Sequence, residues 1–512
     1  MSNDTMARRN WLWQPNLIVF ISSGCIMILE LVAGRMIAPH VGSSLYTWTG
    51  VIGVVLAGIM LGNYLGGRLA DRWASLRLLG IVYMLAALAC LLILAIDRMQ
   101  RLTPPDWSIV IEIVVLTAAM FFVPCTILGM ISPIVAKLAV SDLAKTGSTV
   151  GKIYAAGAFG SIIGTFATGF FLISWFGTYT IVLSVALVLA AFGILFLLGA
   201  RIEAVLVALI VIVGGWRLAA FQGWLQGACV RETNYYCIKI YDEDKHGELV
   251  RQLVLDHLVH SFVALNNPRH LEYGYEKVYA EIAQYRASYD DRLSVLMIGG
   301  GGYTFARYVD VVYPGSDMHV IEIDPGVTQF AYEQLALPRE ANVVTFNEDA
   351  RLFMARSPNK KYDLILGDAF NHYSVPYHLT TKEFNDRVKA WLADDGLYAI
   401  NIIDGPYGDF ARASIYTLRQ TFKHVYVVQG NPQWRQATRS FFVLIGTDAT
   451  IDTTTLAQFD AGDGDALWAR LLASDEEINK MLTEATPVLL TDQYAPVDQM
   501  LASAFLDQVP QR

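Results

Sequence analysis

The hydrophobic pattern changes character once along the chain. From about residue 12 to 225, apolar residues run in long blocks almost free of charge. From about 230 onward they recur at short periods between polar residues. A helix needs ~20 apolar residues to cross a hydrocarbon core. Blocks of that length lie at about 16–38, 47–69, 77–96, 108–139, 152–175, 178–200 and 203–221. Ile153–Ala200 contains no charged residue, which predicts two spans joined at Phe176-Gly177-Thr178. Pro124 and Pro133 are expected to kink the fourth block. The seventh, with Glu203 and Arg217 near its ends, is the weakest. The first block is too long for a cleaved signal peptide, and no small-residue site ends it.

The second half reads differently. "YYCIKIYD" and "HGELVRQLVLDHLVHSF", within 231–263, predict β-hairpins, with the charged run at 242–248 as a tip. A helix is expected over 275–287. Strands are expected at 293–298, 318–323, 342–346, 362–367, 397–403 and 423–428, with helices between them. Such alternation predicts a parallel sheet with its ligand beyond the carboxyl ends of the strands. The fold class is therefore a helical membrane bundle plus an α/β, Rossmann-type domain. The expected division is 1–225 for the bundle, 230–265 for the hairpins and 266–512 for the α/β domain.

Composition agrees. Of 512 residues, 54% are hydrophobic and only 17% charged, too apolar for an ordinary soluble chain. The net charge of −9 offers no electrostatic reason to expect nucleic acid. Cys25, Cys90, Cys125, Cys229 and Cys237 form no CxxC pair, so neither a zinc site nor a disulfide framework is indicated. Cys229 and Cys237 flank the junction and could pair only in an oxidising compartment. No metal cluster is read.

Glycines at 58, 62 and 66, and at 157, 160 and 164, put small residues on one helix face, which lets helices pack closely in lipid. Glu30 and Arg35 stand inside the first block, where an ionisable group marks either a structural pair or a functional site. Arg8, Arg9, Arg68, Arg72, Arg77, Lys137, Lys145 and Lys152 favour one side, which the positive-inside rule makes cytoplasmic. Seven crossings would put the α/β domain outside; an even number would keep it inside.

The candidate chemistry starts at "VLMIGGGGYTFARY", where an apolar strand empties into Gly299, Gly300, Gly301 and Gly302. A glycine turn between strand and helix brings a nucleotide or nucleoside against backbone N–H groups. Glu322 follows about twenty residues later, the distance of a ribose-bridging carboxylate. Asp349 and Asp368 end the next two strands. The alternative is that these acids cap helices. There is no GxxxxGK[ST] pattern and no third glycine of a dinucleotide fingerprint, so an adenosine with a non-phosphate tail fits better.

These residues resemble the spermidine synthases, the aminopropyltransferase branch of the methyltransferase-like fold. The similar pieces are "LVLDH", "IGGGGYTFARY", "VIEIDP", "EDAR", "YDLILGDAF" with "SVPYHLTT", and "LLTDQYAPVD". The whole chain resembles bacterial fused proteins in which half of a major-facilitator-like bundle precedes such a domain. The resemblance implies that Gly299 to Gly302 lie against the nucleoside and its tail. It further implies that Glu322 holds the ribose and that Asp349, with Ala350, faces the adenine. Asp368 would be the catalytic acid of its loop, which Pro376 shapes. Asp256 would sit at the substrate mouth, and His260 would stand where a nucleoside-contacting glutamine is usual. Tyr303, Asn371, Tyr373 and Asp492 are the remaining candidates for substrate contact; His372 and His378 flank the loop tyrosines.

Two departures bear on substrate. Gly302 stands where spermidine synthases carry an aspartate, and Asn371 where they carry a second acid. Their loss weakens the grip on a dicationic amine. It also removes repulsion, and is expected to open room, for a carboxylate on the sulfonium compound. The expected substrate is therefore S-adenosylmethionine or its decarboxylated form, with methylthioadenosine released by aminoalkyl transfer or cyclisation. Expected partners are membrane lipid and a small-molecule amine or amino acid; a homo-oligomer is compatible. A transporter of a small amine using Glu30 and Arg35, regulated by the nucleoside domain, is the alternative. Because S-adenosylmethionine is made in the cytosol, the α/β domain of this bacterial inner-membrane protein is expected on the cytoplasmic side.

Overall fold

The computed structural model describes residues 14–99, 107–140, 143–199, 202–245, 247–369, 375–462 and 464–505. Asn371, His372 and Tyr373 lie outside the described residues. The chain divides into two compact units, 1–232 and 233–512.

Among the described residues, the first unit holds seven helices long and apolar enough to cross a membrane. They are α1 (Pro15–Val41), α2 (Leu45–Trp73), α3 (Leu76–Arg98), α4 (Ile109–Ala139), α5 (Thr146–Trp175), α6 (Thr178–Leu198) and α7 (Ile202–Phe221). Ser44 and Ser75 cap α2 and α3, each side chain accepting an N–H three residues on. The irregularity expected in α4 is a π-helical turn at Ala118–Phe122, just before Pro124. The glycine stripes are helix contacts. A Cβ at Gly160 would lie 2.0 Å from the Phe20 carbonyl oxygen of α1, and one at Gly62 would lie 2.2 Å from the Thr126 oxygen of α4. Only a missing side chain lets these backbones approach.

The second unit begins with an antiparallel meander of β1 (Cys237–Lys245), β2 (Glu248–Leu255) and β3 (Leu258–Ala264). At the first tip Gly247 has φ of +85° and its N–H donates to Asp244, as the charged run predicted. Helix α8 (Gly274–Ala287) follows, and α9 (Thr304–Val312), α10 (Pro325–Gln334) and α11 (Ala350–Met354) connect the first strands of the next sheet. The sheet then comprises β4 (Ser294–Ile298), β5 (Asp317–Ile321), β6 (Val343–Phe346), β7 (Tyr362–Gly367), β8 (Leu392–Asp404), β9 (His424–Gln429) and β10 (Ser440–Thr447). Its order is β9-β10-β8-β7-β4-β5-β6. The five strands from β8 to β6 are parallel, as expected. β9 runs the same way, and β10 corrects the expectation of an all-parallel sheet: it inserts between β8 and β9, antiparallel to both. Residues 430–439, with one 3-10 turn at Trp434–Gln436, join β9 to β10, a connection too short for the crossover that a parallel pair needs.

Both faces of the sheet are covered, which is why its strands are near-continuous Val, Ile and Leu. One face packs on α8 through Val278, Tyr279 and Ile282; the other packs on α12 (Lys382–Trp391) and α13 (Asp409–Leu418) through Phe384, Trp391 and Phe410. The acidic and glycine candidates lie at or just beyond the carboxyl ends of β4 to β7.

Candidate active site

The glycine turn and the catalytic candidate are one backbone arrangement. The Asp368 N–H donates to Ile298 O at 2.8 Å, joining the ends of β7 and β4. Gly299 has φ of +96°, and a Cβ there would sit 2.3 Å from the Asp368 carbonyl oxygen. A side chain at 299 is excluded twice, by conformation and by contact. Gly301, at φ +48°, is also left-handed.

Glu322, the first residue after β5, braces this turn. Its Oε2 accepts the N–H groups of Gly300 (2.8 Å) and Gly301 (3.3 Å), and Oε1 accepts that of Asp324 (2.9 Å). Burial raises its pKa, opposed by those backbone bonds. Oε1, with one donor, has a further lone pair with which to accept a ribose hydroxyl. Asp349 takes the capping role that the sequence left open. Its Oδ1 caps α11 (Ala350–Met354) by accepting the Leu352 N–H at 3.1 Å, and its Oδ2 meets His378 Nε2 at 3.2 Å. Ala350 is buried at the start of that helix.

Asp368 is gripped at both oxygens. The Tyr275 hydroxyl donates to Oδ2 at 2.9 Å and the Asn401 amide to Oδ1 at 3.0 Å. Tyr279, one turn along α8, donates to Gly367 O and accepts the Asn401 N–H. Burial pushes the Asp368 pKa up, while the Asn401 and Tyr275 bonds pull it back. Beside it, Glu276 is 3% exposed, and burial, then the Asp368 charge, lift its pKa to about 8. A carboxylate with a raised pKa is a better proton acceptor for an ammonium group.

Sequence reasoning missed Tyr275, Glu276 and Asn401, which carry no motif and meet Asp368 only through the fold. It also missed Arg351. That guanidinium donates to His378 O (2.8 Å) and Thr381 Oγ1 (2.9 Å) and pairs with Asp492. Asp492 thereby ties the turn at Thr491–Tyr494 to the segment around His378 and Thr381.

Other candidates take different places. Tyr303, expected against the substrate, is fully buried, its hydroxyl between Thr328 (2.9 Å) and Thr345 (3.2 Å) beneath the turn. Asp256 occupies a left-handed turn between β2 and β3, at φ +55°, and its Oδ1 accepts the Cys237 N–H. His260 Nδ1 bonds Leu258 O at 2.9 Å and so carries the proton of the neutral ring. The room expected at Gly302 is filled: a Cβ there would lie 2.6 Å from Ser261 Cβ and 2.8 Å from Val263 Cγ2, both on β3. The Gly302 N–H donates to Ser261 Oγ at 2.8 Å. Among the described residues, no group of His, Cys, Asp and Glu could hold a metal ion.

Comparison with known proteins finds likenesses in the same half of the chain. Residues 276–430 match the family model described as "Spermine/spermidine synthase domain". A "Polyamine aminopropyltransferase" of Vibrio vulnificus is 38% identical over 109 residues, 21% of this chain and 36% of that protein. An "N-terminal histidine N-methyltransferase" of Emericella nidulans is 37% identical over 116 residues, 22% of this chain and 20% of that protein. The chain thus spans about a third or less of the length of these relatives. Among solved structures, a probable spermidine synthase from Corynebacterium glutamicum aligns with a TM-score of 0.45 and 23% identity, covering 51% of this chain and 95% of that one.

Proposed function

We propose that the chain is a membrane-anchored transferase whose spermidine synthase-type domain binds S-adenosylmethionine or its decarboxylated form. The seven apolar helices are its anchor in a bacterial inner membrane. An amine attacks the carbon beside the sulfonium and methylthioadenosine leaves as a neutral thioether. The amine belongs either to a separate acceptor or to the sulfonium compound itself, in which case a ring closes. The glycine turn and Glu322 hold the nucleoside, with Asp349 at the adenine end. Asp368 accepts the ammonium proton and orients the lone pair in line with the carbon.

The observation that carries this reading is the double grip on Asp368. A buried carboxylate with a raised pKa, fixed by Tyr275 and Asn401 beside the glycine turn, is arranged to take a proton where the tail of the nucleoside would end. No carboxylate stands at 302 or 371, so a second ammonium on the acceptor lacks those two partners.

The test is product analysis. Purified protein is given S-adenosylmethionine or its decarboxylated form, with and without a diamine. Methylthioadenosine is the expected nucleoside product. Adenosylhomocysteine would instead mark methyl transfer, and no nucleoside product would sink the enzymatic reading.

A further inference from the structure

The helical unit has two unlike faces. The α2–α3 and α4–α5 connections, with the adjoining helix ends, carry Arg68, Arg72, Arg77, Lys137, Lys145 and Lys152. The face with the α1–α2, α3–α4 and α5–α6 connections carries Arg98, with Arg35 and Arg217 in the helices near it. Lysine and arginine near span ends mark the cytoplasmic side, and acidic residues count little. The basic face is therefore cytoplasmic.

The segment after α7 is seated on the other face. Arg98 Nη2, at the end of α3, donates to Trp224 O at 2.9 Å. The Glu232 carboxylate accepts the Thr178 N–H at 2.9 Å and bonds Thr178 Oγ1 at 3.0 Å, at the start of α6. Helix α7 begins beside the end of α6 on the basic face. A chain that reaches the start of α6 after α7 has crossed the bundle. The weakest block in the hydropathy pattern is thus a full crossing, and the crossing number is odd. The cysteines give a second check: Cys229 and Cys237 flank the end of this segment and could pair only on an oxidising side. Disulfides persist on the oxidising side of a membrane and rarely in the cytosol.

We infer that the α/β domain faces the non-cytoplasmic side. The inference rests on the membrane reading above and reverses the placement expected from cytosolic ligand supply. A cationic nucleoside does not cross hydrocarbon unaided. A transmembrane export step for the sulfonium compound must then precede this reaction.

Thiol labelling of the full chain in a bacterial host tests it. Glu340 is exposed on the α/β domain, and Gly147, on the basic face, has open space at its Cβ. With a membrane-impermeant maleimide, the E340C variant should label in intact spheroplasts and the G147C variant only after lysis. The reverse pattern, or equal labelling of both, would overturn the orientation. On the chain without added cysteine, a thiol count after denaturation should rise from three to five with reductant. Five thiols without reductant would overturn it as well. Release of the chain from membranes by alkaline carbonate would overturn the membrane reading instead, so the two failures are distinguishable.

Discussion

The Tyr275 hydroxyl donates to Asp368 Oδ2 at 2.9 Å, from a helix 93 residues earlier in the chain. This bond stabilises the ionised carboxylate against the burial that disfavours it. A hydrogen bond to a charged group contributes about 1.5–3 kcal/mol. Tyr275→Phe should lower kcat/KM by about tenfold or more. It should also move the acid limb of the pH–rate profile upward, because a group that lowers the Asp368 pKa is gone. Asp368→Asn should abolish turnover while sparing nucleoside binding. An unchanged pH profile in Y275F would show that Asp368 is not the titrating base.

Glu276 gives a stability prediction with a defined sign. Its folded pKa, about 8, lies above the ordinary value of 4.5. Below pH 4.5 the carboxyl is protonated whether folded or unfolded and costs nothing. As pH rises, the unfolded form ionises first and gains, so the fold loses stability up to about pH 8. Glu276→Gln should therefore raise the melting temperature of the α/β domain at pH 7, by on the order of 3 kcal/mol of local stability. The gain should shrink toward zero near pH 4.5. Melting curves of both proteins at several pH values check this, and a pH-independent difference would contradict it.

The glycine turn contains two glycines with different reasons to be there. Gly299→Ala places a methyl group 2.3 Å from the Asp368 carbonyl oxygen at φ +96°. Strain of roughly 1–2 kcal/mol from the left-handed backbone adds to that contact. Nucleoside binding should fall more than tenfold by calorimetry. Gly302→Asp meets Ser261 and Val263 instead. It should destabilise the packing of β3 and fail to create a diamine site. Gain of diamine-dependent product in G302D would refute this account of the pocket.

In the helical unit, Gly160 and Gly169 make a matched pair. A methyl at 160 would meet the Phe20 backbone, whereas nothing lies within 4 Å of one at 169. Gly160→Ala should lower thermal stability in detergent by about 1–3 kcal/mol, and Gly169→Ala should leave it unchanged. Equal effects would mean that α1 and α5 do not pack through this contact.

The sequence alone determined what is local or periodic. Long, charge-poor apolar blocks read as helices long enough to cross a membrane, so seven of them were legible one by one. Glycine between strand and helix, and acids at strand ends, keep fixed spacings along the chain, so the turn, Glu322, Asp349 and Asp368 could be read in order. Of the two readings of Asp349, the structure shows the cap, made by Oδ1, and leaves Oδ2 to His378. The tertiary structure decided whatever depends on residues distant in sequence. Tyr275 and Asn401 reach Asp368 from 93 residues before and 33 after it, and no spacing rule links them. The space at Gly302 depends on Ser261 and Val263, from a strand about forty residues away. The hydrophobic pattern of Tyr303 was compatible with ligand or core; burial between Thr328 and Thr345 assigned it to the core. Chain pattern specifies which elements form, because hydrogen bonding and burial act over a few residues. Which side chains share a cavity is set only when those elements pack.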